Sequence, residues 1–160
     1  MRIHFDEMPE NARLWVYQAN KPFDDQQEAV IREKLEAFLD QWAAHGAELT
    51  TAYEILYQRF VFIAVDEKSV PPSGCSIDAS VRVFKELNEL LEIDFLDRSL
   101  ITYKTEDGIG ELNIPDFREM LKNHSNPEEL IVFNNLIGKK SEMLNWEVKA
   151  KDSWHKQWLP

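Results

Sequence analysis

Phe60-Val61-Phe62-Ile63-Ala64-Val65 is the longest apolar run in the chain. Six residues are far too few to cross a bilayer as a helix, which takes about 20. Aromatic and β-branched residues favour an extended strand. Side chains of a strand alternate between its two faces, so a strand that is apolar at every position has to be covered on both. Any fold open to this chain must place residues 60–65 at the centre of a sheet with material above and below.

The neighbouring segments predict what that sheet contains. Arg13-Leu-Trp-Val-Tyr-Gln-Ala19 reads as a first strand, broken by Asn20-Lys21-Pro22. Asp24 or Asp25 can cap a helix, with Gln27 or Glu28 at the capping-box position three residues on. Ile31, Leu35, Phe38 and Trp42 recur at helical spacing, and the helix is expected to run to Ala44-His45 with Gly46 as a left-handed stop. Leu49, Thr51, Tyr53, Ile55 and Tyr57 alternate as a second strand, and Gln58-Arg59 turns the chain into the apolar run. A loop over residues 66–75 leads to a second helix from about Ser76 to Leu91, with Ile77, Val81, Phe84, Leu87 and Leu91 on its inner stripe. Ser99–Thr105 is the fourth strand expected.

The order β-α-β-β-α-β over residues 1–105 is that of the ferredoxin-like, split βαβ arrangement, an antiparallel four-stranded sheet with two helices on one face. Beyond it, Asp107-Gly108 is a hairpin turn that returns the chain as a strand over Ile109–Asn113. Pro115 opens a short helix through Lys122, Pro127 opens a further turn, and Ile131-Val132-Phe133 is a last strand. The tail from Asn134 has no clear period but holds three of the five Trp. At 160 residues the expectation is one α+β domain over 1–160, with a split βαβ core in 1–105 and a C-terminal extension in 106–160. The Trp-rich tail or a second subunit is expected to cover the open face of the central strand.

The formal net charge is −11. Such a surface repels phosphate backbones and anionic lipid, so neither nucleic acid nor a membrane surface is an expected partner. The charge is uneven. Residues 139–160 hold five Lys and three acids, a local +2, which leaves 13 basic and 26 acidic residues, or −13, for the rest. A basic tail could dock on an acidic body. Cys75 is the one cysteine, so no intrachain disulfide forms, and a lone thiol suits a reducing compartment. The residues after Met1 lack the apolar run of a signal peptide, and the expected location is cytoplasmic.

At Leu14-Trp15-Val16-Tyr17-Gln18-Ala19-Asn20, Phe38-Leu39-Asp40-Gln41-Trp42-Ala43-Ala44-His45-Gly46, Ser73-Gly74-Cys75-Ser76-Ile77-Asp78-Ala79-Ser80-Val81 and Lys151-Asp152-Ser153-Trp154-His155, the chain resembles a family of small, uncharacterised bacterial proteins that often carry the label "ABC transporter ATPase". The resemblance extends over nearly the whole chain. The label implies a phosphate-cradling G-x-x-x-x-G-K-[ST] loop. The five glycines are Gly46, Gly74, Gly108, Gly110 and Gly138, and only Gly138 precedes a lysine, without the upstream Gly or the following Ser or Thr. Val61-Phe62-Ile63-Ala64-Val65-Asp66-Glu67 matches an apolar strand ending in acids, where P-loop enzymes hold Mg²⁺. That pattern is common in α/β proteins, and with no loop for the β- and γ-phosphates we expect no ATPase activity.

Ser73-Gly74-Cys75-Ser76-Ile77-Asp78 sits where a loop enters a helix. Outward N–H groups and the helix dipole favour a thiolate there. Cys75 is thus a candidate nucleophile, with His45 as a candidate base, Asp78 beside them, and Gly74 and Ser76 as candidate ligand-binding positions. The plainer reading is that Gly74 shapes the turn, Ser76 or Ser73 caps the helix, and Cys75 packs as a small apolar side chain. His45 is likewise explained by a helix C-terminus. No metal-ligand spacing occurs and no cofactor is implied. Glu28, Glu33 and Glu36 read as the solvated face of the first helix. Trp154 and Trp158, four apart, share a face if helical, and either anchor the tail on its own sheet or meet a partner. The expected function is a non-catalytic interaction or binding module, self-associating as a homodimer or meeting an unidentified protein. The alternative is a thiol-dependent enzyme or small-molecule binder centred on Cys75.

Overall fold

The computed structural model of the chain describes residues 1–44, 46–67 and 74–160, with residues 74–76 described in the backbone only. It is a mixed α and β structure with antiparallel sheets. It divides into two compact units: Met1–Leu96 with Gly138–Ser141, and Asp97–Ile137 with Glu142–Pro160.

The first unit contains β1 (Arg13–Gln18), α1 (Asp25–Gln41), β2 (Ala43–Ala44), β3 (Ala47–Glu48), β4 (Thr50–Leu56), β5 (Phe60–Asp66) and α2 (Gly74–Leu91). β5 is central and antiparallel to both neighbours, in the order β1-β5-β4, with Val16 opposite Phe62 and Tyr53 opposite Ile63. Val61, Ile63 and Val65 join a core with Ile31, Leu35 and Leu39 of α1 and Phe84 and Leu87 of α2. Tyr17 of β1 stacks on Phe84 at 3.8 Å. Phe60, Phe62 and Ala64 point to the other face and are equally buried. Both faces of β5 are covered, as its composition requires.

α1 begins at the capping box read from the sequence. Asp24 accepts from the Gln27 backbone N–H at 2.8 Å, and the Gln27 side chain accepts from the Asp24 N–H at 2.9 Å. Such a cap contributes about 1 kcal/mol. The helix stops three residues earlier than expected. Trp42 turns extended, its C=O accepts from Leu49 N–H, and Ala43–Ala44 pairs with Ala47–Glu48. Gly46 has the left-handed φ expected of it (+77°), but it serves that two-stranded hairpin rather than the helix end. α2 likewise begins at Gly74, two residues before the expected Ser76.

Three strands of this sheet keep the split βαβ order, but the four-stranded ferredoxin-like sheet is not formed. The fourth expected strand, Ser99–Thr105, does not reach the outer edge of β1. That edge is met by Gly138 and Lys139, with Leu14 N–H donating to Gly138 O at 2.9 Å and Arg13 opposite Lys139. The expected strand is instead β6 (Leu100–Lys104) of the second unit, followed by β7 (Ile109–Asn113), α3 (Ile114–Asn123), β8 (Ile131–Phe133) and β9 (Glu147–Lys149). These strands form a separate antiparallel sheet in the order β7-β6-β8-β9. A strand's partner is chosen by long-range packing, which its own residues do not encode.

In the second unit Asn113 caps α3, its side chain accepting from Asp116 N–H at 2.9 Å. Phe117 and Leu121 of α3 pack with Ile101, Leu130, Val132 and Ala150. The tail residues Trp154, Trp158 and Leu159 close over this cluster. Trp154 and Trp158 of the Trp-rich tail thus belong to the core of their own unit.

Candidate functional site

The Met1–Ile3 segment pairs in parallel with the outer edge of β4. Thr51 N–H donates to Met1 O and Ile3 N–H donates to Thr51 O. At His4 the chain leaves the edge and enters a 3₁₀ turn over Phe5–Glu7. Lys140 fixes the turn by donating to Met8 O at 2.6 Å and Asp6 O at 3.2 Å, with its Nζ 5.4 Å from the Phe5 ring. Where the segment peels away, a cleft of about 270 Å³ opens against α1 and β4.

The floor of the cleft is a chain of polar side chains. Tyr53 Oη donates to Glu36 Oε1 at 2.7 Å and accepts from Arg32 Nη1 at 3.1 Å. Arg32 Nε donates to Glu28 at 3.1 Å, and its guanidinium lies 5.6 Å from the Tyr53 ring centre. On the other side, Arg2 Nη1 stands 3.5 Å from Glu36 Oε1, and Arg2 Nε donates to Asp40 at 3.0 Å. Glu28, Arg32, Glu36 and Asp40 are successive i,i+4 positions, so α1 presents one stripe of three acids around a single cation, and Arg2 meets the last two acids from the N-terminal segment. Ile3 and Phe5 add an apolar wall, and His4, Asp6 and Glu54 complete the rim.

The ionisation states follow from this chain. Burial raises the Tyr53 pKa, the bond to Glu36 adds to the rise, and Arg32 opposes it. Burial works against the charge on Arg32, but its bonds to Tyr53 and Glu28 outweigh that and hold its pKa above the ordinary value. The bond to Asp40 does the same for Arg2. Both guanidinium groups therefore stay charged, and Tyr53 stays a neutral hydroxyl that donates to one neighbour and accepts from the other.

Two sets of groups remain unspent. Glu36 uses Oε1 for both of its partners, and Arg32 uses Nε and Nη1, so among the described residues none takes a hydrogen bond at Glu36 Oε2 or Arg32 Nη2. Outward backbone groups recur every second residue along an edge strand, so those of Tyr53 and Ile55 face outward as those of Thr51 do. Glu54 accepts from Ile55 N–H at 3.1 Å. Among the described residues none meets the outward N–H and C=O of Tyr53.

The chain was compared with models of known protein families, with curated proteins and with solved structures. Nothing matches.

The residues singled out from the sequence lie elsewhere. Asp78 is exposed on α2, over a shallow depression it shares with Val81, Arg82 and Lys85. Cys75, Gly74 and Ser76 occupy the first turn of α2, and their side chains are outside the described residues, as is His45 altogether. Trp154 and Trp158 are half-buried in a 3₁₀ turn, edge to face with centroids 5.0 Å apart. Between them His155 is buried, stacked on Trp154 at 4.0 Å, with Ser153 Oγ 2.7 Å from its Nδ1. Glu67 is ion-paired with Arg13 at 3.3 Å. Among the described residues no three acids, histidines or cysteines converge as a metal site, and no helix is long and apolar enough to cross a membrane.

The sequence reading took Glu28 and Glu36 for solvated charges and passed over Arg2, Arg32 and Tyr53. The signal was present in the i,i+4 row of charged residues on α1, Glu28, Arg32, Glu36 and Asp40. A stripe of that kind is ordinarily a self-satisfied surface, and only the arrival of Tyr53 from β4 makes it the floor of a cleft.

Proposed function

We propose that the chain is a cytoplasmic, non-catalytic binding module that takes a small polar ligand in the cleft between its N-terminal segment, α1 and β4. The observation that supports this reading is the shared hydroxyl of Tyr53. It ties Arg32 and Glu36 into one fixed arrangement while one donor of Arg32 and one acceptor of Glu36 stay available. A site whose polar groups are ordered before the ligand arrives spends little of its interaction energy on ordering them. Its volume of about 270 Å³ falls just below that of drug-sized pockets, which run from about 300 Å³ upward, and so suits a small ligand. The lone thiol supports the cytoplasmic location.

The reading is tested by a ligand screen on the full chain, read by amide chemical shifts and followed by recovery of each hit. A hit that perturbs Ile3, Tyr53 and Glu54, weakens in Arg32→Gln and is recovered chemically unchanged supports it. Hits that map away from the cleft, or that come back modified, sink it. Modification lost in Cys75→Ser would instead establish the thiol-dependent enzyme. ATP added to the same screen should also return intact, because the chain has no phosphate loop.

Self-association is the second reading. Leu136 and Leu144 are 68% and 87% exposed, on the two segments that Asn134 N–H ties to Trp146 O at 2.6 Å. Sedimentation of the wild type against Leu136→Glu/Leu144→Glu checks it. A dimer that the double variant dissolves supports a homodimer through this surface, and a monomer at all concentrations removes it.

A further inference from the structure

The cleft carries opposite charges at a fixed spacing. Arg32 Nη1 and Glu36 Oε1 both bond to Tyr53 Oη, at 3.1 and 2.7 Å, so they stand no more than 5.8 Å apart. Their open partners, Arg32 Nη2 and Glu36 Oε2, belong to the same two groups. A guanidinium N–H is a donor only and an ionised carboxylate an acceptor only. One wall therefore presents a cationic donor and an anionic acceptor side by side. The outward N–H and C=O of Tyr53 add a neutral donor and acceptor, and Ile3 and Phe5 supply an apolar surface at the same opening.

A simple anion would meet Arg32 with Glu36 beside it, and a simple cation would meet Glu36 with Arg32 on one side and Arg2, 3.5 Å from its Oε1, on the other. Each leaves like charge facing the ligand. A molecule holding an ammonium and a carboxylate on one carbon satisfies both at once. Its side chain then needs an apolar contact, and a cleft of about 270 Å³ leaves room for little more than that. Resting on the binding-module reading above, we propose that the cleft is a site for a free α-amino acid with an apolar side chain. The carboxylate is held by Arg32, the ammonium by Glu36, and the side chain lies on Ile3 and Phe5. Arg32 is the residue for the acid end because its fork can still donate from Nη2, and Glu36 is the residue for the amine because its Oε2 is open.

The test is a chemical-shift titration of the full chain with three probes: L-leucine, isopentylamine, which is leucine without its carboxylate, and isocaproate, which is leucine without its amine. Leucine should give saturable shifts at Ile3, Tyr53 and Glu54, with each analogue weaker by about tenfold or more, since a charge-assisted hydrogen bond is lost in each. Arg32→Gln should lower leucine affinity while sparing isopentylamine, and Glu36→Gln should lower leucine affinity while sparing isocaproate. The spectra of the variants report whether each remains folded. Should Glu36→Gln unfold the unit, the Arg32→Gln arm and the three-probe ranking decide alone. An amine that binds as tightly as leucine, or an acid that does, overturns the zwitterion assignment and leaves the binding-module reading standing. Silence of all three probes overturns the amino-acid class, and the binding-module reading falls with it only if the wider screen also finds nothing in the cleft.

Discussion

Asn20 and Asp94 hold one another by a reciprocal pair of hydrogen bonds across 74 residues of sequence. Asn20 N–H donates to Asp94 O, and Asp94 N–H donates to Asn20 Oδ1, both at 2.9 Å. The Asp94 carboxylate accepts from Asn88 and from Leu96 N–H, and Asn88 accepts from Phe95 N–H at 2.8 Å. This knot joins the residue that breaks β1 to the segment leaving α2, where Glu92 takes a left-handed φ of +55°. Asn20→Ala removes the acceptor and leaves the part-buried Asp94 N–H without it. The expected loss is about 1–3 kcal/mol, read as a lower urea midpoint with an unchanged slope. Asn20→Asp keeps an acceptor and should lose less. Equal midpoints for wild type and Asn20→Ala would show that the pair adds nothing.

Arg59 secures the same corner from the hairpin. It is 2% exposed and donates from Nε to Ala19 O at 3.1 Å and from Nη2 to Asn20 O at 2.9 Å. Tyr57 and Gln58, the turn before it, both carry positive φ, which non-glycine residues adopt at a cost of about 1 kcal/mol each. The buried fork offsets that strain. Arg59→Lys keeps the charge but loses the two-pronged geometry. It should destabilise the first unit by about 2 kcal/mol or more, with Arg59→Met worse or equal. The check is amide exchange at Ala19 and Asn20, which should quicken in both variants.

How much of this was legible depends on the range of the interaction. The Asp24–Gln27 capping box, the double-sided β5 and the short helix opened at Pro115 are local patterns, and the structure contains each of them. The end of α1 was missed because Trp42 is apolar in the right register. It leaves the helix because its ring packs on Trp15 and Phe38, centroids 6.2 and 5.0 Å away. β9 was missed because Glu147-Val148-Lys149 is three residues with one apolar side chain, too short for alternation to register. The sheet that β6 joins could not be read at all, since a ladder partner is a property of the fold rather than the strand. The cleft suffers the same limit. Its charges lie on α1 in plain order, but Tyr53 reaches them only through the β4–β5 register.

Gly110 faces a ring that any added side chain would have to displace. It sits opposite Tyr103 in the β6–β7 ladder, and a Cβ added there would come within 2.6 Å of the Tyr103 ring. Tyr103 is itself held against Phe117, 5.9 Å between centroids. Gly110→Ala should cost about 1–3 kcal/mol by overpacking. In a Tyr103→Ala background the obstacle is gone, and the same substitution should become neutral or gain about 0.5 kcal/mol from the lost flexibility of glycine. A double-mutant cycle by calorimetry measures the difference. Additive effects would contradict a direct clash.

His155 gives the second unit a defined acid limit. It is 1% exposed among Phe117, Trp154 and Trp158, and burial depresses its pKa from 6.5 to about 4. A base whose folded pKa lies below its unfolded value binds fewer protons folded than unfolded between those two limits. Its neutral form therefore contributes stability that is whole above about pH 6.5, falls as pH drops through that window, and is gone below about pH 4. The full swing is of the order of 3 kcal/mol. Unfolding followed by tryptophan fluorescence, which reports on Trp154 and Trp158, should show this loss in the wild type and a flatter profile in His155→Gln. The imidazole proton shifts give the pKa directly. A ring that titrates near 6.5 in the folded chain would mean that water reaches it, and that the aromatic cage is open.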